Sequence, residues 1–322
     1  MKLDFLQIGF QKCGTTFLDR NVYPTNQEIV CVQAANYLDL EKALLCKLIF
    51  PDGLEYDQAS FQEDFVQICS KLFGDMTCNG IMFEPFTFVY QRRFCRKNVI
   101  DRIKALYPNI KIITFIRGQD SWFLSHYSQY LRSGGLLSLH DFVEYQLNNL
   151  DLDAHYIDWY PLISYLYDSF GTSNVLVCLF EELKISPQGV ADKIFSFLNV
   201  PTSKISSEEV NTSLSSYSMK LRRLLNYLVR FDSGASSYSF RRDIHNADPT
   251  LHVKLLRRFI YSFYKPLTNV ALDKIDGIFM FKKKFKLEDE QLHKIVMRYG
   301  KNNKALSELL SVKLEEFGYP VT

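Results

Sequence analysis

The stretch LDFLQIGFQKCGTTF at residues 3–17 combines an apolar strand-like run with a glycine loop. Gly9 and Gly14 have the spacing of a phosphate-binding loop, G-x-x-x-x-G-K-[ST]. Thr15, however, occupies the position of the usual lysine, and the lysine of this loop, Lys12, comes two residues before the second glycine. Backbone N–H groups of such a loop, together with a following helix, bind anions. The stretch therefore predicts a phosphate-binding loop whose cation lies earlier than in ATP-binding loops.

Mostly apolar runs of strand length recur downstream. They lie at residues 80–86, 110–117 and 174–180. Apolar residues at three- and four-residue spacing predict helices at 97–106, 121–131, 138–150, 157–169 and 187–198. The alternation predicts an α/β fold of the three-layer P-loop type, in which helices flank a central parallel sheet and ligands bind at the carboxyl ends of the strands.

The last third of the chain lacks further strand patterns. After residue 200 the spacing predicts helices near 219–229, 251–264, 288–299 and 304–314. The sequence contains no internal repeat and no long linker. We therefore expect a single domain over residues 1–322, with a nucleotide-binding α/β core at 1–200 and a mostly helical C-terminal extension at 201–322.

The amino-acid composition restricts the possible classes of protein and the possible cellular compartments. Hydrophobic residues make up 47% of the 322 residues, which is ample for a core, and a net charge of +2 argues against a general nucleic-acid binder. The seven cysteines contain no C-x-x-C pair, which favours free thiols in a reducing compartment. No leader and no apolar run of about 18 to 20 residues is evident. We expect a cytoplasmic protein without a transmembrane segment.

The loop GFQKCGTT resembles the 5′-phosphosulfate loop of sulfotransferases that use 3′-phosphoadenosine 5′-phosphosulfate (PAPS), G-x-x-K-x-G-T-T. The resemblance implies that Lys12 contacts the 5′-phosphate and the bridging oxygen of the donor. It implies that the donor is held by Gln11, Lys12, Cys13, Gly14, Thr15 and Thr16. Because a sulfuryl group carries less negative charge than a phosphoryl group, we expect a site without a metal ion.

A second motif, KIITFIRGQDSWFLSHYSQYLR at residues 111–132, supports the same family. It resembles the 3′-phosphate motif, and the resemblance maps Arg117 and Ser125 onto the residues that bind that phosphate. An arginine fork and a hydroxyl suit a dianionic phosphate. The stretch departs from the family pattern at Gly118-Gln119, where [DN]-P is usual, and at Trp122, which replaces a frequent arginine.

A Ser/Gly-rich stretch, DSGASSYSFRRD at residues 232–243, lies where family members carry a basic loop that closes over the nucleotide. The resemblance assigns Arg241 and Arg242 to that loop. Further basic clusters lie at residues 91–97, 220–223, 254–258 and 282–286. Charge runs are usually solvated faces. If several of these clusters line one cleft, an acidic acceptor becomes attractive.

Sulfuryl transfer usually needs a base for the acceptor's proton. Glu84 ends the apolar run GIMF at the point where several carbohydrate sulfotransferases carry E-K-[ST]-P, but here Pro85 replaces the lysine. Alternatively, Glu84 has a structural role as a carboxylate at the end of a strand, bound by backbone amides or by an arginine. Asp39 and His126 are alternative bases.

The resemblance implies a sulfotransferase that moves a sulfuryl group from PAPS to a hydroxyl and leaves adenosine 3′,5′-bisphosphate (PAP). The segments VNTSLSSYSMKLRRLLN and NNKALSELLSVKLEEFGYP look like bacterial members that act on carbohydrate or lipid-linked acceptors, so we expect a saccharide or glycolipid acceptor. Two alternatives are an ATP- and Mg²⁺-dependent P-loop kinase of small molecules and a catalytically inactive nucleotide-binding protein.

Overall fold

Five parallel strands form the central sheet in the computed structural model of the protein. The structure describes residues 2–73, 78–86, 95–149, 153–206, 215–229 and 285–322. The strands are β1 (Phe5–Gly9), β2 (Ile29–Gln33), β3 (Cys78–Met82), β4 (Lys111–Ile116) and β5 (Val175–Leu179), and their order is β2-β3-β1-β4-β5. Helices flank this sheet. The predicted α/β fold of the P-loop type is confirmed.

The strand order brings three loops to one edge of the sheet. β1 lies between β3 and β4, with Gln7 opposite Met82 and Gly9 opposite Phe115. Because all three strands are parallel, the segments that follow them leave the sheet at the same edge. The glycine loop, Glu84 and Arg117 therefore start from neighbouring positions.

Burial on both faces explains why these strands read as apolar runs. All five residues of β1 and of β3 are buried. Gly80 of β3 pairs with Phe5, and a Cβ at this glycine would lie 2.1 Å from the phenyl ring. The polar Gln7 of β1 is fully buried and accepts a hydrogen bond from the Tyr23 hydroxyl.

The strand β2 was not among the predicted strands. It is an edge strand of the sheet, and only Ile29 and Val32 of its five residues are buried. A short, half-buried run of this kind has little periodicity to detect.

Helical segments connect the strands. After β1, the chain passes from α1 (Thr15–Phe17) through a π-helical stretch (Leu18–Val22) into a 3₁₀ turn (Tyr23–Thr25). Further helices are α2 (Leu38–Ala43), which continues as a π-helical stretch (Leu44–Ile49), α3 (Gln58–Leu72), α4 (Arg96–Leu106), α8 (Trp159–Phe170), α9 (Phe180–Ile185) and α10 (Pro187–Leu198). Of these, α2, α3 and α9 were not predicted. The helices between residues 119 and 156 are given below with the second unit.

The chain divides into two compact units. The first comprises Met1–Gly118, Tyr156–Val210 and Arg298–Thr322, and the second comprises Gln119–His155 and Asn211–Met297. The second unit contains α5 (Gln119–Arg132), α6 (Leu139–Asn148), α11 (Ser216–Val229) and α12 (Asp289–Leu310) up to Met297; α7 (Asp153–Tyr156) lies at its boundary. The expectation of one domain with a core at 1–200 stays a prediction.

Side-chain hydrogen bonds fasten the connection between α5 and α6 in the second unit. The Tyr130 hydroxyl accepts hydrogen bonds from the backbone N–H groups of Leu136 and Leu137 at 2.9 and 3.0 Å. Asn226 of α11 donates its amide to the carbonyls of Leu131 and Gly135 at 2.8 and 2.9 Å. These bonds hold the connection in one conformation.

The helix α12 corrects one prediction. Two helices were expected, at 288–299 and 304–314, but α12 runs from Asp289 to Leu310 without a break. Gly300, which lies between the two predicted helices, costs about 1 kcal/mol in a helix. Neighbouring contacts offset this cost, because Tyr299 is buried and Asn303 donates its amide to the Pro320 carbonyl at 2.7 Å.

The remaining observations concern the cysteines, helices that could cross a membrane, and one predicted helix. All seven cysteines are free thiols. In the described part of the chain, no helix combines the length and the hydrophobicity that crossing a membrane requires. The helix predicted at 251–264 lies outside the described residues.

Candidate active site

The loop after β1 has a backbone conformation that orients its lysine. Lys12 has φ 68°, in the left-handed region, which costs a residue with a side chain about 1–2 kcal/mol. The Arg117 guanidinium donates a hydrogen bond from Nη1 to the Lys12 carbonyl at 2.7 Å. This bond helps to hold the unusual conformation, so the residue that follows β4 supports the loop that follows β1.

Gly14 closes the loop at the start of the helical segment. Its φ is 98°, and a Cβ here would lie 2.9 Å from Cδ2 of Leu183 and 3.3 Å from the Phe180 ring. Only glycine satisfies both conditions. The backbone N–H groups of Thr15 and Thr16 come next, and as the first donors of a helical segment they have no intrahelical acceptor. Such donors are suited to bind an anion.

Cys13 takes part in the loop through its backbone. Its side chain is fully buried, and its thiol lies 3.8 Å from the Gln11 carbonyl. Burial raises the pKa of the Cys13 thiol well above its usual range, although the positive charge of Arg117 opposes the shift. The thiol is therefore neutral at physiological pH and unsuited to act as a nucleophile.

Glu84 lies beside the loop. It begins a 3₁₀ turn (Glu84–Phe86) after β3, and the Thr15 hydroxyl donates a hydrogen bond to its Oε1 at 3.0 Å. Burial raises the pKa of the Glu84 carboxyl, while the Thr15 hydrogen bond and the Lys12 charge lower it. A carboxylate with a raised pKa, held next to a phosphate-binding loop, has the properties of a general base.

Thr15→Val is expected to shift the pH dependence of the enzyme. The Thr15 hydroxyl stabilises the ionised form of Glu84, so its loss raises the carboxyl pKa further. If Glu84 is the base, the acidic limb of the pH profile of kcat/KM moves to higher pH. Thr202→Val is the matched control, because the Thr202 side chain is exposed, lies outside the loop and has no hydrogen bond among the described residues. Equal profiles for both variants would contradict the role of Glu84.

Arg117 is positioned by contacts from several elements of the first unit. Its guanidinium lies over the Phe180 ring, 4.2 Å from the centroid, and its carbonyl accepts a hydrogen bond from the Trp159 indole at 2.9 Å. The next residue, Gly118, donates its N–H to Glu181 Oε1 at 3.3 Å. The cation at the end of β4 is therefore fixed in place rather than mobile.

Tyr319 extends this network from the C-terminal segment. Its hydroxyl donates a hydrogen bond to Glu181 Oε2 at 3.2 Å, and the side chain is 3% exposed. Burial raises the pKa values of both Glu181 and Tyr319. The role of Tyr319 is not visible in the sequence, because 138 residues separate it from Glu181 and no local pattern links the two.

Tyr319→Phe is expected to weaken PAP binding several-fold. The variant removes one donor to the buried Glu181 carboxylate, which positions Gly118 and the turn after Arg117. Loss of such a bond also costs about 1–2 kcal/mol of stability. Isothermal titration calorimetry well below the melting temperature measures the affinity. Tyr107→Phe is the control, because the Tyr107 hydroxyl has no hydrogen bond among the described residues. Unchanged affinity in Tyr319→Phe would contradict the positioning role.

The alternative bases occupy different settings. Asp39 is exposed in the first turn of α2 and has no ion pair or hydrogen bond among the described residues. His126 is fully buried in the second unit and stacks on Trp122, with ring centroids 4.5 Å apart. Its Nε2 lies 3.5 Å from the Gln146 amide. These contacts suit a packing role for His126.

The remaining predicted site residues belong to the second unit or lie outside the described residues. Ser125 lies on α5 in the second unit and is partly buried. Arg241 and Arg242 lie outside the described residues. The structure thus brings together Lys12 and Arg117, and Thr15 and Glu84, within the first unit.

The residues of the loop fit an anionic sulfonucleotide such as PAPS. Lys12 supplies a cation, the Thr15 and Thr16 N–H groups supply donors, and Arg117 supplies a second cation beside the loop. Where the structure describes the chain, no three His, Cys, Asp or Glu side chains form a group suited to hold a metal ion. The expectation that transfer needs no metal stays a prediction.

Several solved structures resemble this one. A sulfotransferase from Alicyclobacillus acidocaldarius is 18% identical, with a TM-score of 0.49, and the match covers 71% of this chain and 94% of that chain. Mouse sulfotransferase SULT7A1 complexed with PAP is 15% identical, with a TM-score of 0.39 and coverages of 84% and 88%. The sulfotransferase domain from the curacin biosynthetic pathway is 12% identical, with a TM-score of 0.38 and coverages of 97% and 99%. No curated protein sequence matches the chain significantly.

The family is shown by the sequence itself. A family model described as a sulfotransferase domain matches residues 2–259. The matched region includes the loop with Lys12, the carboxylate of Glu84 and the arginine that follows β4. The chain therefore belongs to the sulfotransferase family, and it is a PAPS-dependent sulfotransferase.

Proposed function

We propose that the enzyme transfers a sulfuryl group from PAPS to a hydroxyl of a saccharide or glycolipid, with Lys12 and Glu84 as its catalytic residues. The hydrogen bond from Thr15 to Glu84 carries the proposal. It joins the loop that would hold the donor to a carboxylate whose pKa is raised by burial. A base next to the donor loop is the arrangement that transfer to a hydroxyl requires.

Glu84 and Lys12 have different roles in the proposed reaction. PAPS, when bound, supplies the sulfuryl group. Glu84 accepts the proton of the acceptor hydroxyl as the acceptor oxygen forms its bond to sulfur. The bond from sulfur to the 5′-phosphate oxygen breaks, and its electron pair stays on that oxygen, giving PAP. Lys12 stabilises the charge that develops there.

The other nucleotide contacts are part of the same proposal. Gln11, Cys13, Gly14, Thr15 and Thr16 would bind the 5′ end of the donor together with Lys12. Support comes from the left-handed conformations in the loop and from its helix-start N–H groups. At the other end of the nucleotide, the 3′-phosphate would be bound by Arg117, Ser125, Arg241 and Arg242.

The acceptor class and the compartment have separate support. Glu84 follows an apolar run, as does the glutamate of the E-K-[ST]-P stretch in several carbohydrate sulfotransferases, although Pro85 replaces the lysine of that stretch. Seven free thiols, of which Cys13, Cys69, Cys78 and Cys178 are buried, suit a reducing compartment such as the cytoplasm.

An acceptor panel tests the proposal. The purified enzyme is incubated with PAPS and with saccharides, glycolipids, simple phenols or amines, and both PAP and the sulfated product are quantified by mass spectrometry. We expect PAP and product in equal amounts with saccharides or glycolipids. Product from phenols or amines alone would overturn the acceptor class and leave the donor assignment intact.

A further inference from the structure

A cavity of about 460 Å³ lies entirely within the described residues of the second unit. Its walls include residues from the first turns of two helices, Leu139 of α6 and Gln291 of α12. Helix N-termini carry partial positive charge and favour anions. All residues that line it belong to the second unit, whereas the glycine loop and Glu84 belong to the first.

Cations outnumber carboxylates in the wall of this cavity. Lys220 and Arg223 come from α11, and Lys286 comes from the segment before α12. The ammonium groups of Lys220 and Lys286 have no hydrogen-bond or ion-pair partner among the described residues. Glu288 is the acidic residue of the wall, and its carboxylate lies 3.4 Å from Nδ1 of His140. The balance of charge favours an anionic occupant.

Apolar side chains line the same cavity. Leu224 of α11 is 54% exposed, although it is a large hydrophobic residue. Phe285 lies in the wall and packs edge-on against Tyr127, with ring centroids 5.9 Å apart. A basic surface that contacts only solvent has no use for apolar side chains such as Leu224 and Phe285. Their presence beside three cations points to a ligand with an apolar part as well as a charge.

Gln291 provides an independent observation. This wall residue is 1% exposed, and its Oε1 accepts a hydrogen bond from the Glu288 N–H at 3.0 Å. Its Nε2 has no acceptor among the described residues. Buried donors nearly always have a partner, because an unsatisfied donor loses its hydration without compensation. Gln291 therefore brings an unsatisfied donor to the wall of the cavity.

We propose that this cavity binds an anionic amphiphile, a molecule that joins a phosphate, sulfate or carboxylate group to an apolar body. Lys220, Arg223 and Lys286 contact the anionic group, and Leu224 and Phe285 contact the apolar body. The inference does not rest on the proposed acceptor or on Glu84, because binding requires neither nucleotide nor turnover.

Calorimetric titration of the full chain with octyl phosphate, below its critical micelle concentration, tests the inference. Octyl glucoside serves as the neutral probe and inorganic phosphate as the probe without an apolar body. We expect saturable binding of octyl phosphate and at least tenfold weaker binding of the other two. Equal binding of octyl glucoside, or no saturable binding of octyl phosphate, would overturn the proposal.

Two variants locate the binding in the cavity. Lys220→Gln combined with Lys286→Gln should weaken octyl phosphate binding about tenfold, because two charge-assisted contacts are lost. The matched control is Lys71→Gln combined with Lys304→Gln, which removes the same charge from two exposed lysines elsewhere. Equal affinity of the two double variants would show that binding depends on net charge alone and would overturn the site.

An experiment with lipid vesicles distinguishes two sources of the ligand, a bilayer lipid and a dissolved amphiphile. Co-sedimentation of the unmodified chain with phosphatidylglycerol-containing vesicles, lost in the Lys220/Lys286 variant, would assign the site to a bilayer lipid. Binding of octyl phosphate without such co-sedimentation would assign it to a dissolved amphiphile.

Discussion

Lys12→Ala will lower kcat by about a hundred-fold or more if Lys12 stabilises the departing phosphate, because removal of one preorganised charge contact has an effect of this size. The loop itself should keep its shape, since Arg117 bonds to the carbonyl of residue 12 and not to its side chain. Steady-state assay of PAP release from PAPS, at saturating acceptor, measures the change.

The control for this variant is Lys42→Ala, which removes the same charge from an exposed lysine on α2. We expect its kcat to equal that of the unmodified enzyme. Titration with PAP should show that Lys12→Ala still binds nucleotide, with reduced affinity. A Lys12→Ala enzyme with unchanged kcat would remove this lysine from the mechanism.

Glu84→Gln should reduce transfer by about 10²- to 10⁴-fold, the contribution of a positioned general base, while PAP affinity stays nearly unchanged. The glutamine keeps an oxygen that can accept the hydrogen bond from Thr15, so the geometry of the loop is preserved. The same assay, paired with PAP titration, separates loss of chemistry from loss of binding.

The competing bases provide the comparison for Glu84. Asp39→Asn alters an exposed residue and should leave kcat unchanged. His126→Gln alters a fully buried ring in the second unit and should lower stability more than it lowers the transfer rate per folded molecule. Full activity in Glu84→Gln, with a large loss in either other variant, would transfer the role of base to that residue.

Local patterns in the sequence are the basis of the proposed donor site. The loop around Lys12 and the strand that ends at Arg117 each lie within a short stretch, and both strands are buried runs whose apolar character is visible in the sequence. Glu84 could be proposed because a carboxylate at the end of a parallel strand lies at the ligand-binding edge of the sheet.

Contacts between distant residues could not be predicted in the same way. The bond between Thr15 and Glu84 spans 69 residues, and the bond between Tyr319 and Glu181 spans 138 residues. Each depends on the packing of several elements, for which no local spacing exists. The continuous helix through Gly300 shows the same limit, because tertiary contacts of its neighbours override the local preference of glycine.

Nucleotide-dependent melting tests the central claim most directly, namely that the loop around Lys12 holds the donor. A ligand at about a hundred times its Kd adds about 2.7 kcal/mol to the stability of a folded protein. We predict that PAP raises Tm, that the rise is smaller in Lys12→Ala and in Arg117→Ala, and that ATP with Mg²⁺ has little effect. Stabilisation by ATP with Mg²⁺ but not by PAP would contradict the account and favour the kinase alternative, and no stabilisation by either nucleotide would contradict the donor site itself.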